Sequence, residues 1–231
     1  AGGPKTYVPD NNFEAYLETR GMGDGIANND SVSTNNINSI TTLGIFGRNI
    51  SELTGIEDFI ALQELDCSNN LLTTLDLSNN INLIYIEAYD NQISSFDATY
   101  NTSLQLLDLE DNLLTCLNLI NENNTILTEL WTQGNSNLSC IQVDDSTYSN
   151  SNWLNNSDFY LDSNHYFSVN CSNCSSTAGG PKTYVPDNNF EAYLENNGMG
   201  DGIANNDSVS TNNINSITTL NIDGSNISDL T

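Results

Sequence analysis

The sequence predicts a mainly β fold, a solenoid of short parallel strands with a helical cap at its N-terminus and an irregular cap at its C-terminus. Two observations lead to this prediction. Apolar residues recur at spacings of 22, 21, 21 and 23 residues, and fixed periods of this size are typical of solenoids. Residues 1–54 also recur at 178–231 with six differences. The periodic apolar residues are Leu43, Leu65, Ile86, Leu107 and Leu130.

The repeated beginning sets the domain organisation. Its offset of 177 residues is an ordinary size for one domain. We therefore expect one full unit, the first third of a second, and a longer tandem array that is cut at Thr231. The predicted segments are an N-terminal cap and loop at 1–39, about five coils at 40–143, a C-terminal cap at 144–174, a linker at 175–181 and the next unit at 182–231.

The first element is an amphipathic helix in "YVPDNNFEAYLETRG". Asp10 is a suitable N-cap, and Phe13, Tyr16 and Leu17 share one face. Gly21 is a suitable end point. Because the apolar face must pack on something, we expect this helix to cover the first coil.

The loop "GMGDGIANNDSV" at 21–32 follows the helix and recurs at 198–209. Its oxygen-bearing side chains and intervening glycines resemble a calcium-binding loop, although it is one residue short of an EF-hand loop and lacks the final Glu. A turn rich in Asn, Asp and Gly is the alternative. The predicted Ca²⁺ ligands are Asp24, Asn28 and Asp30 with their copies Asp201, Asn205 and Asp207, and no other cofactor is expected.

The coils are carried by "LQELDCSNNLLTTLDL", "LIYIEAYDNQISSFDA", "LQLLDLEDNLLTCLNL" and "LTELWTQGNSNLSCIQV". Each follows the pattern L-x-x-L-x-L-x-x-N-x-L, in which strand residues alternate between core and surface. The asparagine column should bond backbone groups of the turns and of neighbouring coils. This column consists of Asn70, Asn91, Asn112 and Asn135.

This pattern resembles the leucine-rich repeat family over roughly 40–143. More narrowly, "YVPDNNFEAYL", "LDCSNNLLTTLDLSNN" and "CIQVDDSTYSNSNW" resemble repeat modules of secreted and surface proteins of Bacteroidetes bacteria. The resemblance implies a curved or gently twisted parallel-β solenoid that serves in binding or adhesion. "DSV" at 30–32 has the form of the O-glycosylation acceptor used by those bacteria. It implies sugar on Ser31 and its copy Ser208, and "DST" at 145–147 is a poorer match at Ser146.

The outward strand positions form the candidate recognition face. They mix carboxylates with aromatic rings, which suits a cationic protein patch, a sugar, or Ca²⁺ bridged to another surface. A plain solvated sheet face is the alternative. The predicted face residues are Phe46, Glu64, Asp66, Tyr85, Glu87, Tyr89, Asp108, Glu110, Glu129 and Trp131.

Four of the five cysteines fall in the last third of the unit, which favours disulfides and an extracellular setting. We predict the pairs Cys140–Cys171 and Cys116–Cys174. The alternative is a ladder bond between Cys116 and Cys140 together with Cys171–Cys174. Zinc binding is the rival reading, and Cys67 is expected to be a buried free thiol.

Charge and composition exclude several function classes. Thirty acidic residues against four basic ones repel nucleic acid and anionic membranes. No apolar run reaches the ~20 residues of a membrane-spanning helix, and no signal peptide is apparent, so a mature or internal fragment is expected. One histidine and no nucleophile with a partner base argue against an enzyme.

Two functions remain. In the first, tandem units stack into an extracellular or surface fibre, and other copies of the unit are the partners. Tyr7, Phe13, Tyr148 and Trp153 would then form contacts between caps. In the second, the chain is a multivalent adhesin that binds a surface protein or a glycan through the strand face.

Overall fold

The structure is a computed structural model that describes residues 3–154, 156–163, 165–172, 174, 182–185, 187–197, 208–210, 220, 222 and 227. The chain divides into two compact units, Ala1–Ser175 and Ser176–Thr231. The predicted linker at 175–181 lies outside the described residues. Each described helix is too short to cross a bilayer.

The described residues of the first unit form short strands, three helices and two 3-10 turns. In chain order they are β1 Lys5–Tyr7, α1 Asn11–Thr19, β2 Ser31–Ser33, α2 Thr34–Ile37, β3 Thr42–Gly44, a 3-10 turn Ile56–Asp58, β4 Glu64–Asp66, β5 Tyr85–Glu87, β6 Ser95–Asp97, β7 Leu106–Asp108, β8 Cys116–Leu119, a 3-10 turn Asn124–Ile126, β9 Glu129–Trp131, β10 Cys140–Val143, α3 Ser146–Asn152, β11 Phe159–Tyr160 and β12 Tyr166–Ser168.

Helix α1 and the antiparallel pair β1–β2 form the N-terminal cap. The Asp10 carboxylate accepts hydrogen bonds from the backbone N–H groups of Asn12 (2.9 Å) and Phe13 (3.0 Å), which fixes the start of the helix. The helix ends two residues before Gly21, whose φ of 74° suits glycine. Phe13 and Leu17 are fully buried, so the apolar face packs on the unit's core.

The first sheet is a parallel ladder in the order β11-β9-β7-β5-β4-β3. The periodic apolar residues of the sequence pair in register, from Leu43 opposite Leu65 to Leu107 opposite Leu130. All of them are buried, because alternate residues of each strand point into the core. The mainly β repeat fold with parallel strands is therefore confirmed.

A second parallel sheet, in the order β12-β10-β8-β6, was not predicted. Its inward residues Phe96, Leu117 and Ile141 pair in register and are buried. They belong to the same core as the leucines of the first sheet. Each of these coils therefore contributes a strand to both sheets.

The C-terminal segment is more regular than the sequence predicts. Asp145 caps α3, and β11 and β12 then extend the first and second sheets by one parallel strand each. Trp153, which is 1% exposed, stacks on Phe159 with ring centroids 5.1 Å apart. The repeat pattern is hard to recognise in this segment, because aromatic residues replace the leucines and α3 lengthens the spacing between the strands.

The structure contradicts two of the predicted contacts between caps. Phe13 and Trp153 are both buried in the core of the first unit. Neither ring is therefore available as a contact surface for another unit.

The described residues of the second unit repeat the cap. They form β13 Lys182–Tyr184, α4 Asn188–Asn196 and β14 Ser208–Ser210, and β13 pairs with β14 in the antiparallel register of β1 and β2. Asp187 accepts hydrogen bonds from the N–H groups of Asn189 and Phe190, both at 2.9 Å. The repeated sequence therefore gives the same local structure.

Candidate binding face of the first sheet

An asparagine ladder supports the turns that follow the strands of the first sheet. Asn112, 4% exposed, accepts a hydrogen bond from the N–H of Ile93 (2.9 Å) and donates to the carbonyl of Ala88 (2.9 Å). Asn91 and Asn135 bond equivalent backbone groups one coil away. Each amide thus joins two coils and satisfies backbone groups that have no access to water.

A residue with positive φ precedes each ladder asparagine, and another precedes Arg48, which holds the equivalent position in the first coil. The φ values lie between 49° and 79°, a range that favours Gly, Asn and Asp. The N–H of such a residue still bonds the next coil, as from Asp90 to the carbonyl of Glu110 (3.0 Å). The turn therefore ends the strand while the backbone hydrogen bonds between neighbouring coils continue. These residues are Gly47, Asn69, Asp90, Asp111 and Gly134.

A second asparagine ladder supports the opposite turns and was missed. Asn80 donates to the carbonyl of Ile56 (2.8 Å), and Asn101 donates to that of Leu77 (3.1 Å). Asn121 continues the series by donating to the carbonyl of Asn101 (3.1 Å). Their spacing of 21 and 20 residues was a usable signal, but it is hard to see in a chain this rich in asparagine.

The structure brings the predicted face residues into adjacent columns on the first sheet. The middle column pairs Asp66 with Glu87, Glu87 with Asp108, and Asp108 with Trp131. Beside it, Glu64 pairs with Tyr85. Glu64, Asp66, Tyr85 and Glu87 line an open depression on this face. These side chains therefore form one continuous surface.

Asp108 departs from the prediction of an open position, because its side chain is only 4% exposed. Glu87 and Trp131 stand on either side of it in register. One carboxylate oxygen accepts a hydrogen bond from the N–H of Glu110 (3.0 Å). Asp108 is therefore a buried acid within the face rather than a free contact residue.

Burial and mutual repulsion perturb the acids of this face. Burial, with smaller contributions from Glu110, Glu87 and Asp111, raises the pKa of Asp108 to about 6. Burial and Asp66 raise the pKa of Glu87, while burial and Asp111 raise that of Glu110. The face therefore carries crowded negative charge.

Basic side chains of the described residues do not relieve this charge. Lys5 pairs with Asp24 in the cap, which is the one salt bridge in the described part of the chain. Arg20 and Arg48 lie over the ring of Tyr16, at 5.3 and 5.2 Å from its centroid. Among the side chains that the structure describes, the acids of the face thus have no counterion.

Aromatic rings occupy both ends of the face. Phe46, 47% exposed, lies near Tyr89 with ring centroids 6.2 Å apart. At the other end Trp131 meets Tyr160 edge-on at 5.5 Å. Tyr160 was missed, because the strand that carries it was read as part of an irregular cap.

Two disulfides hold the C-terminal tail against the second sheet. They join Cys116 to Cys174 and Cys140 to Cys171, with Cα separations of 5.1 and 5.8 Å. This is the first of the two pairings considered from the sequence, and the ladder bond is not formed. Cys67 is a buried free thiol.

The predicted calcium loop is held by protein groups. Asp24 pairs with Lys5 and accepts hydrogen bonds from the N–H of Ile26 (2.9 Å) and the side chain of Asn29 (3.0 Å). The Lys5 ammonium holds the pKa of Asp24 well below its usual range. In the described part of the chain, no cluster of three or more His, Cys, Asp or Glu could hold a metal. The other two predicted ligands in this first copy of the loop, Asn28 and Asp30, are exposed, and their φ angles lie in the left-handed region.

The other predicted modification residues of the first unit, Ser31 and Ser146, are not on strands of the first sheet. Ser31, in β2, donates to Asp24 and Asn29 at 3.3 Å, and Ser146 is the first residue of α3. Asp201, Asn205 and Asp207 lie outside the described residues, and of Ser208 only the backbone is described.

Comparison with known proteins found similar solved structures, whereas no family model and no curated protein matches the chain. The functional domain of InlJ from Listeria monocytogenes, which includes a cysteine ladder, is 25% identical over 62% of this chain, with a TM-score of 0.46. The internalin InlF from the same species is 21% identical over 60%, also at 0.46. The plant peptide hormone receptor RGFR1, in complex with RGF2, is 18% identical over 49%, at 0.35.

These neighbours are leucine-rich repeat proteins. The matched region spans 39% of the InlJ chain, 52% of the InlF chain and 26% of the receptor chain. With TM-scores below 0.5 they do not assign the chain to a family or to a function.

Proposed function

We propose that this chain is a non-enzymatic binding module that docks a protein partner on the face of the first sheet. The observation that carries the proposal is a row of crowded carboxylates for which the described side chains supply no counterion, set between two aromatic pairs. Charge of one sign on a protein surface favours a partner of the opposite sign. Tyr and Trp are the side chains that most often anchor protein interfaces.

The well-held backbone beneath the face favours binding. Ladder asparagines and left-handed turns hold the backbone on which these side chains stand. A surface that is already ordered loses little conformational freedom on association. We prefer a protein partner to a glycan, because the crowded carboxylates favour a partner that carries positive charge.

We place the module outside the cell. Two disulfides in one unit suit an oxidising compartment, because thiols are kept reduced in the cytosol.

The test uses the full chain and two charge reversals. Glu87→Lys changes the centre of the face, while Asp76→Lys makes the same change at an exposed residue outside it. We expect saturable binding to extracellular proteins of the producing cells that Glu87→Lys reduces at least tenfold and Asp76→Lys leaves unchanged. Equal loss in both variants would show only general electrostatic attraction and would refute the proposal.

A second candidate function, a fibre of stacked units, is supported by the near-identity of the two copies, which differ at six of 54 positions. Equivalent joints require equivalent units. Electron microscopy of native material tests it: filaments with a regular axial repeat are expected, and dispersed single chains would contradict it.

A further inference from the structure

Phe46 and Tyr89 approach each other from the two coils on either side of Ser68. The three residues occupy the same column of successive coils, with Ser68 on the coil between the other two. Coils are spaced by about 4.8 Å, so residues two coils apart start about 10 Å from each other. The ring centroids nevertheless lie only 6.2 Å apart. The rings therefore lean towards each other across the serine.

The Ser68 hydroxyl, on the coil between these two residues, has no hydrogen-bond partner. Ser68 is 0% exposed, and its Oγ is one of the few buried side-chain polar atoms without a partner in the described part of the chain. An unsatisfied buried hydroxyl costs free energy that a smaller apolar side chain would avoid. A polar group that enters between the rings would satisfy it.

Carboxylates surround the same position. Asp66, on β4, accepts a hydrogen bond from the N–H of Ser68 (3.1 Å). Glu87 on β5 pairs with Asp66 in register, and Glu110 follows β7 in the same column as Tyr89. Burial, and after it the negative charges of Asp66 and Glu87, raise the pKa of Tyr89. The position therefore combines two aromatic faces, a free hydroxyl and uncompensated negative charge.

We propose that this position is a subsite for one arginine side chain of a protein partner. The guanidinium enters between Phe46 and Tyr89, donates to the hydroxyl oxygen of Ser68 and pairs with Asp66 and Glu87. The inference rests on the proposed binding function and names the chemistry that the partner presents.

Arginine fits the two rings, the hydroxyl and the carboxylates of this position better than lysine does. Its planar guanidinium stacks on aromatic faces and presents five donors in a fixed fork, whereas the lysine ammonium is a compact and strongly hydrated point charge. Phe46 is 47% exposed, so its ring can turn aside to admit the group. The chain offers one such subsite, because the second copy has Asp223 at the position of Phe46.

The experiment titrates the ¹⁵N-labelled full chain with N-acetyl-arginine amide and, separately, with N-acetyl-lysine amide, which has the same charge. At pH 7.5 and 150 mM salt we expect saturable shifts at the amides of Phe46, Ser68 and Tyr89, with a Kd at least fivefold lower for the arginine compound. One site per chain is expected.

Three variants separate the subsite from general attraction. Phe46→Leu and Ser68→Ala should each raise the Kd about threefold or more, while Tyr166→Leu, which removes an exposed ring from the second sheet, should not. Ser68→Ala removes an unsatisfied hydroxyl, so its melting temperature should not fall and the weaker binding cannot be a folding defect.

Equal shifts with both compounds, or shifts spread over all the acidic surface, would overturn the subsite. Binding of methyl glucoside at these amides without binding of the arginine compound would overturn it as well. If Glu87→Lys removes binding of the protein partner while the arginine compound gives no shifts, the proposed function stands and only this subsite fails.

Discussion

Replacing the buried acid of the face, Asp108→Asn, should stabilise the protein at neutral pH. The Asp108 carboxylate has a pKa of about 6 in the folded chain against 3.8 for an ordinary Asp. The folded protein therefore binds more protons than the unfolded chain between about pH 4 and 6. Its stability falls as the pH rises through this range, because folding then buries a charged group.

The size of the effect follows from the shift. About two pKa units at 1.36 kcal/mol each give about 3 kcal/mol as an upper limit. Solvent at the open face screens part of this, so we expect about 1–2 kcal/mol. Asparagine keeps the acceptor for the N–H of Glu110, so the turn should survive. A gain of this size corresponds to about 2–8 °C in Tm.

The assay is urea denaturation with the disulfides intact, followed by tryptophan fluorescence at pH 7.5 and pH 4. Asp108→Asn should raise the unfolding free energy at pH 7.5 and leave it nearly unchanged at pH 4. Asp97→Asn is the matched control, because Asp97 bonds the N–H of Thr99 in the same way but pairs with Asn118 instead of Glu87. An equal gain at both pH values, or an equal gain in the control, would refute the reasoning.

Three further predictions concern the scaffold. Asn112→Ala leaves buried backbone groups of two coils unpaired and should lower the free energy of unfolding, measured by urea denaturation, by about 3 kcal/mol. Asn82→Ala is the control: the hydrogen bond of the Asn82 side-chain amide lies on the surface, so its loss should cost under about 0.5 kcal/mol. The double variant Cys116→Ser/Cys174→Ser opens a loop with a sequence separation of 58 and should lower the unfolding free energy by about 2–4 kcal/mol, and no change would show that the tail is held by packing alone. Calcium binding at the Asp24 loop predicts that EDTA lowers Tm and that excess Ca²⁺ restores it, and an identical Tm in both buffers would contradict it.

Local pattern was sufficient for the strand ladder. An inward leucine, an outward neighbour and a turn asparagine recur every 21 to 23 residues, and each choice depends on residues a few positions away. The coils therefore had to stack in the register that places Leu65 opposite Leu43 and Ile86. The Asp10 cap was readable for the same reason, since its contacts at Asn12 and Phe13 are local.

The C-terminal strands and the second sheet were not readable in this way. Phe159 and Phe167 take the inward positions of β11 and β12, but α3 interrupts the period that would have revealed them. Packing around Trp153, with Phe159 stacked on it, decides where these short strands lie.

The sequence by itself determined the period, the inward residues of the first sheet from β3 to β9 and the members of the acidic face. Only the tertiary structure decided that Asp108 is buried between Glu87 and Trp131, and that the rings of Phe46 and Tyr89 approach to 6.2 Å from the coils on either side of Ser68. The physical reason is distance along the chain. Alternation along a strand is a property of neighbouring residues, whereas burial, pKa and ring contacts depend on side chains one or two coils away, which stacking brings within a few ångströms.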